Sequence, residues 1–116
     1  MVKTSIIIGN YNSTELLKNC LDSIYNYESL NDFETIVIDN NSKEFDSDYF
    51  KQKYDNIFII NSELNLGFSR ANNLAAQYSN GEFLFFLNPD TYFNDSCLHY
   101  FVSCYNKLSN VGCLGS

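Results

Sequence analysis

The sequence predicts an α/β domain: a Rossmann-like, mostly parallel sheet with helices on both faces. Three observations point there. Short β-branched or aromatic runs alternate with stretches whose apolar residues recur at helical spacing, the order from which parallel sheets are built. The run Phe83-Leu84-Phe85-Phe86-Leu87 is apolar without a break, which reads as a strand buried on both faces. Several of these runs stop at Asn, Asp or Tyr, and parallel strands gather such ends on one edge, where open α/β sheets bind ligands.

The elements follow in order. Ser5-Ile6-Ile7-Ile8 is a first strand, closed by the polar turn Gly9-Asn10-Tyr11-Asn12. Ser13 or Thr14 is placed to cap the helix that follows, whose stripe is Leu16, Leu17, Cys20, Leu21 and Ile24. Phe33 to Ile38 is a second strand ending at Asp39-Asn40-Asn41-Ser42, residues suited to a turn. Phe45 to Tyr54 reads as a more polar helix, and Ile57 to Ile60 as a third strand. The turn Asn65-Leu66-Gly67-Phe68 opens a helix with Ala71, Leu74, Ala75 and Tyr78 on one stripe, and Asn80-Gly81 is placed to end it. Glu82 to Leu87 is the fourth strand. Asn94 or Asp95 is expected to cap a last helix bearing Leu98, Phe101, Val102, Tyr105 and Leu108, and Val111–Gly115 to begin a fifth strand. Asn88-Pro89-Asp90 puts a carboxylate at the end of the fourth strand, so Asp90 is a candidate metal or ligand contact from its position alone.

Composition narrows the classes. The 116 residues suit one domain, residues 1–116. Hydrophobic residues make up 45%, with 10 Phe and 9 Tyr, enough to fill a core and to argue against disorder. Fourteen acidic residues against 7 basic ones give a net charge of −7. No Lys/Arg cluster exists to meet a phosphate backbone, so nucleic acid and anionic membranes are poor partners. A phosphorylated ligand would need a cation or helix N-termini to carry its charge. Cys20, Cys97, Cys104 and Cys113 lack C-x-x-C spacing; the first three fall in helical patterns and read as small buried residues in a reducing compartment. The N-terminus enters a strand directly, without signal-peptide architecture, and no apolar run approaches the ~20 residues of a membrane helix. A cytoplasmic protein is expected, any membrane association being left to parts outside this chain.

Four motifs in order give the chain a family resemblance: Ser5-Ile6-Ile7-Ile8-Gly9-Asn10-Tyr11-Asn12, Thr35-Ile36-Val37-Ile38-Asp39-Asn40-Asn41-Ser42, Asn65-Leu66-Gly67-Phe68-Ser69-Arg70-Ala71-Asn72-Asn73 and Gly81 through Asp90. Together they resemble the nucleotide-sugar-binding half of family 2 glycosyltransferases, inverting enzymes of the GT-A fold. The Asn-Leu-Gly-Phe and Asn-Pro-Asp variants are most similar to a rhamnosyltransferase-type branch.

The resemblance implies roles for named residues. Tyr11 stacks on the nucleobase with Asn10 as a polar neighbour, and Asp39 accepts from a ring N–H of uracil or thymine. Arg70 reaches toward the base or pairs with Asp39. Asn88 bonds ribose hydroxyls, and Asp90 holds Mg²⁺ or Mn²⁺ against the donor diphosphate, an oxygen-ligand task that suits a hard cation. Gly9-Asn10 stands where the family often has a proline and a threonine, and Asn88 replaces an aspartate. The plain alternatives are a helix-packed turn aromatic for Tyr11, a turn aspartate for Asp39 and a surface arginine for Arg70. Asn72 and Asn73 read as helix surface, Asn40, Asn41 and Ser42 as turn chemistry, and His99 has no assigned role.

In the family the general base and the acceptor site belong to a second half. No catalytic residue is therefore expected in this chain; the general base would lie beyond Ser116. The chain reads as a donor-binding portion for a UDP- or dTDP-sugar with a saccharide acceptor, in cell-surface polysaccharide synthesis and with little turnover of its own. A catalytically inactive nucleotide-binding or interaction module of the same fold is the alternative. A sheet cut at this point leaves an exposed edge, so self-association through strand 4 or the last helix is expected. A phospho-receiver fold would need an acidic cluster after strand 1, and a dinucleotide fold a Gly-rich turn there. Gly9-Asn10-Tyr11-Asn12 is neither.

Overall fold

A computed structural model describes residues 2–115. Its elements are β1 (Thr4–Asn10), α1 (Thr14–Tyr27), β2 (Phe33–Asp39), α2 (Ser47–Lys53), β3 (Ile57–Asn61), α3 (Phe68–Ala76), β4 (Phe83–Leu87) and α4 (Leu98–Lys107). Every strand pair is parallel, and the order across the sheet is β3-β2-β1-β4. Asn10, Asp39 and Asn61 stand side by side in register, and Ile8 pairs with Leu87. The polar strand ends therefore share one edge, as the sequence predicts.

Alternation along the strands sends their residues to two cores. Ile6, Ile8, Phe33, Val37 and Ile59 face α1, which presents Leu17, Cys20, Leu21 and Ile24, all fully buried at helical spacing. Phe50 of α2 and Leu98 of α4 close the same side. Ile7, Ile36 and Ile38 face the other way, against Ala71 and Ala75 of α3, whose small side chains let that helix lie close. Phe85 links sheet to last helix through Phe93 and Phe101, with ring centroids 6.0 and 5.2 Å away.

β4 is not buried on both faces. Leu84 and Phe86 are 44% and 49% exposed, and only the alternate residues turn inward. The strand lies at the sheet's end, and α3 covers β1 and β2 rather than β4. An unbroken apolar run therefore marks apolar surface on both faces without saying that both are covered in this chain.

Local signals differ in smaller ways. α3 ends at Ala76, and Tyr78 lies past it, stacked on Phe58 at 5.3 Å. Gly81 does not cap that helix. It sits on β1, where a β-carbon would come within 2.6 Å of Ser5 N, so close backbone approach is what demands glycine. α1 has Ser13 at its N-cap, but the Ser13 hydroxyl donates to Tyr11 O, and Thr14 donates to Glu44 O. α4 has Cys97 at its N-cap, not Asn94 or Asp95. Its free N–H groups are met from α1's far end: Glu28 Oε1 accepts from Cys97 N at 2.6 Å and Leu98 N at 3.1 Å. Residues 111–115 form no strand. Of the cysteines only Cys20 is buried; Cys97 is partly so, and Cys104 and Cys113 are exposed. Leu98 is the one buried residue of α4, and Cys104 lies on its open side.

Candidate functional site

From β1 the chain steps to β2 and β3, then returns across β1 to become β4. The direction reverses between β1 and β4, and the crevice outside their carboxyl ends is the ligand position of such sheets. Asn10 and Tyr11 leave β1 on one side of it. Asn88-Pro89-Asp90 leaves β4 on the other, and Asp39 stands one strand further over.

The base of the crevice is a hydrogen-bonded knot. Asn10 is fully buried, and its Nδ2 donates to Asp39 Oδ1 at 2.9 Å and to Ser42 Oγ at 3.4 Å. Ser42 gives Asp39 two more bonds, from its hydroxyl to Oδ1 at 2.6 Å and from its backbone N–H to Oδ2 at 3.0 Å. Asn12 N donates to Ser42 Oγ at 2.8 Å, and Asn12 Oδ1 accepts from Lys43 N at 2.9 Å. Asn12 and Asn41 hold left-handed backbone, with φ of 50° and 65°, which asparagine tolerates better than most residues. The turns after β1 and β2 are thus zipped together. Among the side chains of the described residues, Asn10 Oδ1 alone is buried with no partner.

The remaining predicted residues occupy the rim. The Tyr11 side chain is half exposed and has no aromatic neighbour among the described residues. Arg70 lies exposed in the first turn of α3 and makes no ion pair among the described residues. The expected Arg70–Asp39 pairing is not formed: Asp39 is 4% exposed and occupied by neutral donors of its own turns, while the guanidinium stays in water. Asn88 folds the chain back through its carbonyl, which accepts from Thr91 N and Thr91 Oγ1, leaving its side chain exposed. Asp90 is exposed too, beside α1, where burial, with a smaller contribution from the Asp90 charge, pushes the Cys20 thiol up to about 11.

Three residues expected in turns or on the helix surface, Ser42, Asn40 and Asn72, instead hold the crevice together or lie buried beside it. Ser42 is the hub of the knot. Asn40 is buried and accepts from Leu66 N at 3.2 Å, tying β2 to the loop before α3. Asn72 is buried rather than on the helix surface, with its Oδ1 opposite Gly9. Its place three residues before Ala75 was the available signal.

No group of three or more His, Cys, Asp or Glu side chains is placed to hold a metal among the described residues. A lone exposed Asp90 suits a cation that takes one carboxylate plus phosphate oxygens and waters, and does not suit an all-protein cage. Two cavities, of about 640 and 720 Å³, lie elsewhere. The first sits between α1 and α4, where Glu28 is already spent on capping; the second is an apolar groove along β4 and α4. Neither includes a residue of the crevice, and the converging polar groups and the topology favour the crevice.

Fold and site together define a doubly wound α/β domain with a polar ligand crevice at its switch point. The chain belongs to glycosyl transferase family 2, whose sequence model matches residues 5–116. It is 34% identical over 102 residues to a poly(ribitol-phosphate) beta-glucosyltransferase of Bacillus spizizenii, a match covering 84% of this chain and 16% of that protein. Among solved structures, S. aureus TarS 1-349 in complex with UDP-GlcNAc superposes with a TM-score of 0.81 at 22% identity, covering 99% of this chain and 38% of that one. A mannosyltransferase from Pyrobaculum calidifontis, PcManGT, in complex with GDP-Man and Mn²⁺, also superposes at 0.81, at 19% identity, over 98% of this chain and 36% of its own. These likenesses confirm the parallel α/β architecture. The chain spans well under half the length of each of the three.

Proposed function

We propose that this chain is the donor-binding half of an inverting glycosyltransferase that takes a UDP- or dTDP-sugar with Mg²⁺ or Mn²⁺ and serves transfer to a saccharide acceptor of a cell-surface polymer. The observation that carries the reading is the convergence of a half-exposed Tyr11, a buried Asp39 and an exposed Asp90 on one switch-point crevice. Tyr11 would stack on the base, and Asp39 would accept from its ring N–H. Asn88 would meet the ribose, with Asn10 and Arg70 as polar neighbours. Asp90 would hold the cation, which when bound neutralises charge on the departing nucleoside diphosphate. A net charge of −7 makes that neutralisation the more necessary. UDP-GlcNAc in TarS and Mn²⁺ in PcManGT support the donor class and the metal, and the name of the Bacillus relative supports a wall-polymer acceptor. The Asn-Leu-Gly-Phe and Asn-Pro-Asp variants keep dTDP-rhamnose among the donors to compare.

No residue of this chain is given the role of general base; Asp95 Oδ1 accepts from Ser96 N at 2.7 Å, just before α4.

Calorimetry with UDP, dTDP and GDP, with and without Mn²⁺, tests the proposal. Mn²⁺ is expected to tighten UDP binding about tenfold or more, and Asp90→Ala to remove that gain. The variant should stay within about 0.5 kcal/mol of the parent in urea, because Asp90 is an exposed side chain. A folded chain whose UDP affinity ignores both Mn²⁺ and Asp90→Ala would sink it.

A further inference from the structure

We infer that Ser42 is a positioning residue for base recognition: with Asn10 it fixes the Asp39 carboxylate so that Oδ2 alone is offered to a ring N–H of the nucleobase. The inference rests on the donor-binding reading above and adds to it which oxygen reads the base and what holds it.

A carboxylate oxygen accepts about two hydrogen bonds. Asp39 Oδ1 already has two, from Asn10 Nδ2 and Ser42 Oγ. Asp39 Oδ2 has one, from Ser42 N, and keeps one acceptor direction. The direction of each bond is forced. Asn12 N and Asn10 Nδ2 can only donate to Ser42 Oγ, so the hydroxyl proton must go to Asp39. Reversing the Asn10 amide would set its oxygen against the carboxylate, so Nδ2 faces Asp39 even though Oδ1 is left buried and unpartnered. Ser42 also grips Asn12 N, in the turn that carries Tyr11. One hydroxyl thus couples the stacking face to the base-reading carboxylate.

The ligand chemistry follows. An acceptor at Oδ2 suits bases with a ring N–H at that edge, as in uracil and thymine, and opposes cytosine, whose corresponding nitrogen is a lone pair. The intact chain should therefore prefer UDP to CDP. Removing the Ser42 hydroxyl leaves Asp39 with one donor fewer and the Tyr11 turn held at Asn12 by the Lys43 N–H alone.

The test is the UDP/CDP affinity ratio, measured by calorimetry in Mn²⁺ for the parent chain, Ser42→Ala, Ser42→Cys and Ser42→Thr. Ser42→Ala is expected to lower the ratio about tenfold, the size of one hydrogen bond to a charged group, and Ser42→Thr to restore it. A parent chain that does not discriminate defeats the base-reading role of Asp39 itself, and this inference with it. A discriminating parent with an unchanged ratio in Ser42→Ala overturns the inference alone, as does an equal loss for UDP and CDP. Should Ser42→Ala fail to fold, Ser42→Cys decides, because its thiol is a weak donor: an intermediate ratio supports the inference and a parental ratio overturns it.

Discussion

Asn10 is placed at a stability cost, since a buried acceptor without a partner costs about 1–3 kcal/mol. The return is an oriented Asp39, a trade more expected of a binding crevice than of a plain turn. The cysteines test burial one side chain at a time. Cys20 is buried, and desolvation, with the Glu28 charge adding, also pushes the Cys97 thiol up to about 11, so thiolate is scarce at both near neutral pH. A native thiol titration with a disulfide reagent should label the exposed Cys104 and Cys113 rapidly, and Cys20 and Cys97 at least about tenfold more slowly. Rapid labelling of all four would contradict the packing of α1 and α4. Asp90 was legible as a site candidate because it follows a strand whose end is visible in sequence, while Tyr11, Asp39 and Asn88 were legible only through the family resemblance of the motifs that hold them. Ser42 was not, because its partners Asn10 and Asn12 lie 32 and 30 residues away and meet it only when β1 and β2 pair.

At the scale of elements, two carboxylates fasten segments far apart in sequence. Glu28 caps α4 from the end of α1, a task sequence reading gave to Asn94 or Asp95. Glu28→Ala should cost about 1 kcal/mol in urea unfolding, with faster hydrogen exchange in α4 than in α1. Glu34 of β2 holds the turn before β4, accepting from Ser5 Oγ at 2.6 Å, Asn80 N at 2.6 Å and Asn80 Nδ2 at 3.1 Å. Partial burial would raise its carboxyl, but these bonds outweigh it and hold Glu34 below its ordinary 4.5. A carboxyl depressed in the folded state contributes stability fully above its unfolded value and loses it as pH falls through the folded one. Unfolding midpoints of the parent and Glu34→Gln should therefore differ most at neutral pH and converge on acidification below 4.5. A gap that widens in acid would contradict the assignment. Helix stripes and strands were legible because their period is local; caps such as Glu28 were not, since the partner comes from another element.

For the whole molecule, β4 leaves an unpaired edge and Leu84 and Phe86 half open beside it. An edge of that kind is a template for pairing with a second copy. Light scattering of the chain should show mass rising with concentration. Phe86→Lys should suppress the rise while costing about 1 kcal/mol or less, because the side chain is half in water already. A clean monomer at high concentration would remove the expectation of self-association. The sequence by itself determined the strand–helix alternation, the parallel sheet and the edge that gathers Asn10, Asp39 and Asp90, because these follow from local periodicity and from where apolar runs stop. Only the tertiary structure decided that β4 is an edge strand with one open face, that Arg70 stands free of Asp39, and that Ser42 fixes Asp39. Those outcomes depend on which strands become neighbours and which donors reach a buried carboxylate first, and neither is encoded within any one segment.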